Sequence, residues 1–343
     1  MKKRYGIAVA GLCLLLGAQG LKADGFGVPS KKWGIGFGNS KQFTGIRFNY
    51  RDHHVEKVNG INFTLWQPRD KEGGAEVNGL SLGLIPGGKT LRGVQLGVLG
   101  VMGMENVSGI TVGLLGAGAG GDMTGINIGG LGCGAGGSMR GVNFGALGLG
   151  AGEDLWGINL GGLGCGAGEN VKGINIGLLG LGAGSDLWGI NIGGLGCGAG
   201  ENVTGFTVAL LGAGAGERMA GLQFSGIGLG AGEELWGLSL AGVAAGSPKV
   251  TGITIAGVAV GGVEVRGIAM AVGCVRIVDD KMQGSLTGVA VSSCNWIKGE
   301  QRGLSIGILN YATKLNGIQL GLINIAKNNP KGAKVLPFVN AHF

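Results

Sequence analysis

From Gly93 the chain repeats every 16 residues, with units beginning at Gly93, Gly109, Gly125, Gly141, Gly157, Gly173, Gly189, Gly205, Gly221 and Gly237. A unit this short cannot enclose a core of its own, so each copy must borrow one from its neighbours. Looser copies of 14 to 21 residues begin at Gly45, Gly60 and Gly79 upstream, and at Gly252, Gly267, Gly288, Gly303 and Gly317 downstream. The expected organisation is a leader over 1–23, irregular coils over 24–92, the regular array over 93–251, irregular coils over 252–326 and a tail over 327–343. Independent domains are not expected.

Numbering a unit from its first Gly, apolar side chains fall at positions 2 and 4 (Ile126, Ile128), then 7, 9 and 11 (Leu131, Cys133, Ala135), then 15 (Met139). Steps of two signal extended strand with one face inward. The step of three between positions 4 and 7 flips that parity, and a corner at Gly129-Gly130 restores it. The expected fold is therefore all-β: a β-solenoid of about 18 short coils at ~4.8 Å spacing, on the order of 85 Å long, with two strands per coil. In that reading Ile174 and Ile176 point inward and Asn175 points outward. Ile176→Asp is then the costly substitution, at several kcal/mol, and Asn175→Asp the mild one at ~1 kcal/mol. The alternative fold is an outer-membrane β-barrel with one strand per unit. Its support is the alternation Val339, Ala341, Phe343 at the terminus. Against it, each straight-strand face is half Gly and the aromatic girdles of such barrels are missing.

Met1 to Ala23 reads as a secretory signal peptide. Lys2, Lys3 and Arg4 precede the apolar stretch Ile7 to Leu16, and small residues follow at Gly17-Ala18 and Ala23. The chain is then exported, to the periplasm, outer membrane or cell surface. Loss of four basic side chains with the leader takes the formal charge from +7 to +3. Residues 93–236 hold three basic and ten acidic side chains, so the flanks carry the positive charge. No basic stripe is interleaved with aromatics, which argues against nucleic acid as a partner.

The composition offers little to catalysis. Three His leave scant room for general base chemistry or a multi-His metal site, and no nucleophile–base pairing stands out. His53-His54, with Asp52 and Glu56, is expected to be a solvated loop. Cys133, Cys165 and Cys197 recur at position 9 of alternate units, two coils or ~9.6 Å apart, too far for a disulfide. They read as small inward hydrophobes. Cys274 and Cys294 lie in the irregular region, where spacing does not specify a pairing.

Two surface columns remain. Positions 13 and 14 carry acids or amides, expected to be turn chemistry, with Ca²⁺ on a carboxylate edge as the disfavoured alternative and no cofactor otherwise expected. Position 3 carries Asn127, Asn143, Asn159, Asn175 and Asn191, read as an outward amide ladder. Trp156, Trp188 and Trp236 occupy position 16, each two residues after an acid: Asp154, Asp186 and Glu234. Residues two apart share a side in extended chain, so these six form the candidate ligand-contact edge, suited to a sugar or a cationic side chain.

The units Gly125-Ile-Asn-Ile-Gly-Gly-Leu-Gly, the segments Gly303-Leu-Ser-Ile-Gly-Ile-Leu-Asn-Tyr311 and Gly317-Ile-Gln-Leu-Gly-Leu-Ile-Asn-Ile325, and the ending Leu336-Pro-Phe-Val-Asn-Ala-His-Phe343 resemble the glycine-rich, exported surface-repeat-containing proteins of bacteria. The resemblance covers most of residues 34–343 and implies export and surface exposure. It brings no catalytic residues with it. The function expected is a non-enzymatic envelope scaffold or interaction protein, meeting an envelope polymer or a protein partner. The rival is an outer-membrane pore or assembly component.

Overall fold

A computed structural model of the chain describes residues 25–69, 74–278 and 283–343. The expected leader over 1–23 lies outside them. The fold is all-β, a β-solenoid of about 17 turns built on the 16-residue repeat. It is not a barrel: long strands of successive coils pair in parallel, where a one-strand-per-unit barrel needs antiparallel hairpins. Contacts divide the chain into two compact units, one ending at Gly113 and one beginning at Leu114.

In the first unit Phe26–Pro29 lies antiparallel on Trp33–Phe37. From there parallel strands follow in the register Gly34, Gly45, Gly60, Gly79, Gly93, Gly109. In the second unit each regular coil has a long strand, such as Val171–Gly177, and a short one, such as Gly180–Ala183. Bends at positions 6–7 and 12–13 join them. The register advances by one unit per coil, Gly141 to Gly157 to Gly173 to Gly189, and runs on through Gly252, Gly267, Gly288 and Gly303 to Gly317. Val335–His342 then turns back antiparallel along the last long strand and covers its open edge. The Phe343 alternation is a closing strand of a solenoid.

The parity of the long strand is the reverse of the expectation. Asn127, Asn143, Asn159, Asn175 and Asn191 are fully buried, whereas Ile126, Ile158, Ile174 and Ile190 are about 40% exposed. Leu131 at position 7 also points outward. Position 15 explains why. Met139, Leu155, Val171 and Leu187 are fully buried, and an unbroken strand runs from them through positions 3 and 5. Counting from 15 in steps of two reaches 3 and 5, never 2 or 4. On the short strand the expectation holds: Cys133, Leu149 and Cys165 at position 9 are buried in consecutive coils, as are Ala135 and Ala151 at position 11.

Burying an amide is costly unless both its ends are bonded. Here each Asn donates from Nδ2 to the Oδ1 of the Asn one coil on: Asn127 to Asn143 at 2.8 Å, Asn143 to Asn159 at 2.9 Å, Asn159 to Asn175 at 2.8 Å and Asn175 to Asn191 at 2.9 Å. The C-terminal coils move the device to the short strand, where Asn295, the register partner of Val275, donates to Asn310 and Asn310 to Asn324. In the first unit the inward column holds Arg47. Its buried guanidinium pairs with Asp52 and donates to Asn62 Oδ1 at 2.9 Å. Asp52 is therefore buried, not part of a solvated loop, because the inward parity of Arg47 demands a counter-charge. The rings of His53 and His54 meet edge to face beside it.

The repeat-initiating Gly has a separate reason. At Gly173 φ is +117°, and a Cβ there meets the Gly157 carbonyl oxygen at 2.0 Å. Gly182, on the outer face of a short strand, has nothing within 4 Å of a Cβ.

Two substitution pairs test this register in urea unfolding. Asn175→Asp removes a buried donor and adds a buried charge, so it is expected to cost several kcal/mol, with Ile174→Asp below ~1 kcal/mol. Gly173→Ala is expected to cost more than about 2 kcal/mol, and Gly182→Ala to be neutral or stabilising by up to about 1 kcal/mol. The opposite order within either pair is incompatible with the register.

Candidate functional site

Around the regular coils of the second unit the outward side chains change character by position. Acids and amides occupy the bend at positions 13 and 14. Position 16 follows with tryptophan or a cation in five of these coils (Arg140, Trp156, Lys172, Trp188 and Trp236), then aliphatics or phenylalanine at 2 and 4, mostly leucine at the bend residue 7, and bare glycine at 8 and 10. In-register stacking turns each position into a column, so one coil's chemistry becomes a stripe.

The acidic stripe is engaged in holding coils together. Asp154 accepts from Asn170 Nδ2 at 2.8 Å, and Asp186 from Asn202 Nδ2 at 2.9 Å. Ser138 donates its backbone N–H to Asp122 Oδ1 at 2.9 Å and its hydroxyl to Glu153 Oε2 at 3.2 Å. Glu234 lies between Arg218 at 3.3 Å and Lys249 at 3.0 Å and accepts from Thr251 Oγ1 at 3.0 Å. Partial burial of the Glu234 carboxyl works against its charge, but the hydrogen bonds and charges of Lys249, Thr251 and Arg218 outweigh that and hold its pKa below the ordinary value. Among the described residues no three His, Cys, Asp or Glu converge on a point where a metal ion would sit.

The tryptophan stripe is partly filled too. Arg140, Trp156, Lys172 and Trp188 are register partners in consecutive coils. The Arg140 guanidinium lies 5.1 Å and the Lys172 ammonium 5.2 Å from the Trp156 ring centre. Arg218 caps Trp236 at 5.7 Å. These are cation–π contacts between coils. They cover the Trp156 face that a sugar would stack on, and Trp188 is the more open ring. The six residues of the expected edge thus share one side of the molecule. Asp154, Asp186 and Glu234 spend acceptors on the next coil, and Trp156 and Trp236 carry bound cations.

The apolar stripe was not foreseen as a surface. Ile158, Ile174, Ile190, Phe206 and Leu222 at position 2, Phe144 and Ile192 at position 4, and Leu131, Leu147, Leu163, Leu179, Leu195 and Leu211 at position 7 are all exposed. Leu178 and Leu210 at position 6 stand out further, at 66%. Soluble monomers rarely expose a contiguous apolar patch above a few hundred Å², and this face continues through coil after coil. Two shallow grooves lie along its position 4–6 margin. One of about 510 Å³ is walled by Val208, Leu210, Phe224, Leu240 and Ile255; one of about 480 Å³ lies by Ile306, Ile308, Leu322 and Phe338. The signal for this face was in the sequence, as the conflict of parity between positions 15 and 2.

Comparison of the chain with protein-family models, with curated proteins and with solved structures finds no match. The functional reading therefore rests on the surface itself.

The Glu234 cluster gives a pH test. A carboxyl whose folded pKa lies below its unfolded value stabilises fully above the unfolded value near 4.5 and loses that contribution as pH falls through the folded one. Urea midpoints between pH 6 and pH 3 are expected to fall less steeply for Glu234→Gln than for the parent chain. Parallel curves would mean that the cluster carries no linkage.

Proposed function

We propose that this chain is an exported, non-enzymatic scaffold or interaction protein of the bacterial envelope, acting through its long apolar face. The observation that carries the reading is the combination of a rigid ladder and an outward aliphatic stripe. The long strand spends its inward position 3 on buried Asn and leaves the isoleucines of position 2 and the leucines of position 7 on the surface. A protein whose only task was to fold would place them the other way round. Coil-to-coil hydrogen bonds hold the exposed side chains at one spacing, so a partner meets a pre-organised surface with little ordering cost. The leader-like residues 1–23 and the resemblance to exported surface-repeat proteins support the cellular address.

The partner is one that presents apolar groups over several coils, either embedded in the envelope or held on it. The acidic bends lie around the coil from the leucines, and the tryptophan–cation stripe separates the two. That order orients the molecule: leucine side toward the partner, carboxylate side toward water.

The experiment is fractionation of cells carrying the chain with Leu147, Leu163, Leu179 and Leu195 all changed to Ser. All four are exposed, so the β-sheet circular dichroism and melting temperature are expected to stay near those of the parent. The parent is expected in the envelope fraction, with detergent needed for release, and the variant in the soluble fraction. An unchanged distribution of a folded variant would remove the apolar face from the function.

A further inference from the structure

Two cysteines that spacing leaves unrelated are brought side by side by the register. Cys274 and Cys294 are direct partners at the starts of the adjacent parallel strands Cys274–Val278 and Cys294–Ile306, flanked in the same register by Val275 with Asn295 and Arg276 with Trp296. Backbone bonds fix the alignment: Cys274 N–H donates to Val258 O and Cys294 N–H to Gly273 O, each at 2.9 Å. Both thiols sit on the outer side of their strands, half-buried, while Val275 and Asn295 next to them are fully buried.

The other three cysteines of the array make the contrast. Cys133, Cys165 and Cys197 face inward, with Leu149 and Leu181 between them in register. Burial pushes their thiols up to about 12, 12 and 11. They are neither paired nor available. The 274/294 column has Ala259 before it and Leu309 after it, so it holds two thiols one coil apart and no more.

We propose that Cys274 and Cys294 are a redox site: a cross-coil dithiol that closes to a disulfide and reopens without unfolding of the chain. In-register parallel neighbours have Cα atoms ~4.8 Å apart, inside the 4.4–6.8 Å span of disulfides. Their Cβ atoms sit at about the same separation, slightly beyond the usual ~3.5–4.5 Å, so closure must draw the coils together by a few tenths of an ångström. A bond made under that strain is more reducible than a relaxed structural one. The chemistry is ordinary exchange with a small-molecule or protein disulfide. One thiolate attacks a sulfur of the oxidant and releases its other half as a thiolate. The second cysteine's thiolate then attacks the mixed disulfide and expels the remaining half. The two cysteines lose two electrons and two protons, and the oxidant becomes two thiols. Burial and the neighbouring thiol raise Cys274 to about 11, against the pull of Arg276, so thiolate is scarce at neutral pH and its fraction grows about tenfold per pH unit. Closure ties together the coils on either side of residues 275–293. The site does not depend on where the protein resides, so it stands or falls apart from the scaffold reading.

The test uses the whole chain, purified reduced and treated with glutathione disulfide at pH 7, 8 and 9, then digested with trypsin without reduction. The expected product is Gly267–Arg276 linked to Met282–Lys298, two hydrogens lighter than the separate peptides, with Cys133, Cys165 and Cys197 still alkylatable. Its rate is expected to rise about tenfold per pH unit and to fall in urea, because the folded register brings the thiols together. Millimolar glutathione is expected to reverse it in the folded protein. In Cys274→Ser, Cys294 should stop at the glutathione adduct. Three results would overturn the proposal: glutathione adducts persisting on both cysteines, free thiols at both, or a link that forms only in urea.

Discussion

The buried asparagine ladder is the interaction on which the rest of the structure depends. An inward amide has no water to bond, and the only partner at the right height is its counterpart one coil on. Each coil is thus locked to the next by a bond that a one-residue slip would break, and the slip would also carry isoleucines inside and the asparagine out. An aliphatic interior holds coils together but says little about register, because greasy side chains slide past one another at low cost. The amides at position 3, with the aliphatic column at 15 and the small residues at 9 and 11, specify one stacking.

Glycine serves that stacking in two different ways. At position 1 it is dictated by backbone, since a side chain at Gly173 would collide with the carbonyl of the coil before. At positions 8 and 10 the backbone makes no such demand: Gly148 and Gly182 face open space. Three neighbouring surfaces with three different chemistries, leucine, bare backbone and carboxylate, therefore coexist on a coil of only 16 residues.

The period, the in-parallel stacking and the strand positions were legible in the sequence, because a 16-residue repeat with steps of two admits few structures. Which side faced inward was not. The usual rule sends Ile126 and Ile128 to the core and leaves Asn127 outside, and it fails because the amides satisfy one another at a price isoleucine does not have to meet. The internal clue was Met139, an even number of residues from Asn143 and an odd number from Val142. Of the candidate edge, Asp154, Trp156, Asp186, Trp188, Glu234 and Trp236 do share one side. Their hydrogen bonds and cation partners are supplied by the adjacent coils, at a separation that only the register reveals. The Cys274–Cys294 juxtaposition was hidden likewise, behind a coil of irregular length.

The ladder is also directional. Asn127 opens the run by donating to the coil after, and each Asn from Asn143 to Asn175 accepts from the coil before and donates to the coil after. A stack that ends at any Asn of this run presents an unpaired donor on its C-terminal side, waiting for an oxygen 16 residues further along. Contacts at that short separation close quickly, since little loop entropy opposes them. The molecule can be built in the order in which its chain is delivered, each finished coil serving as the template for the one that has yet to arrive.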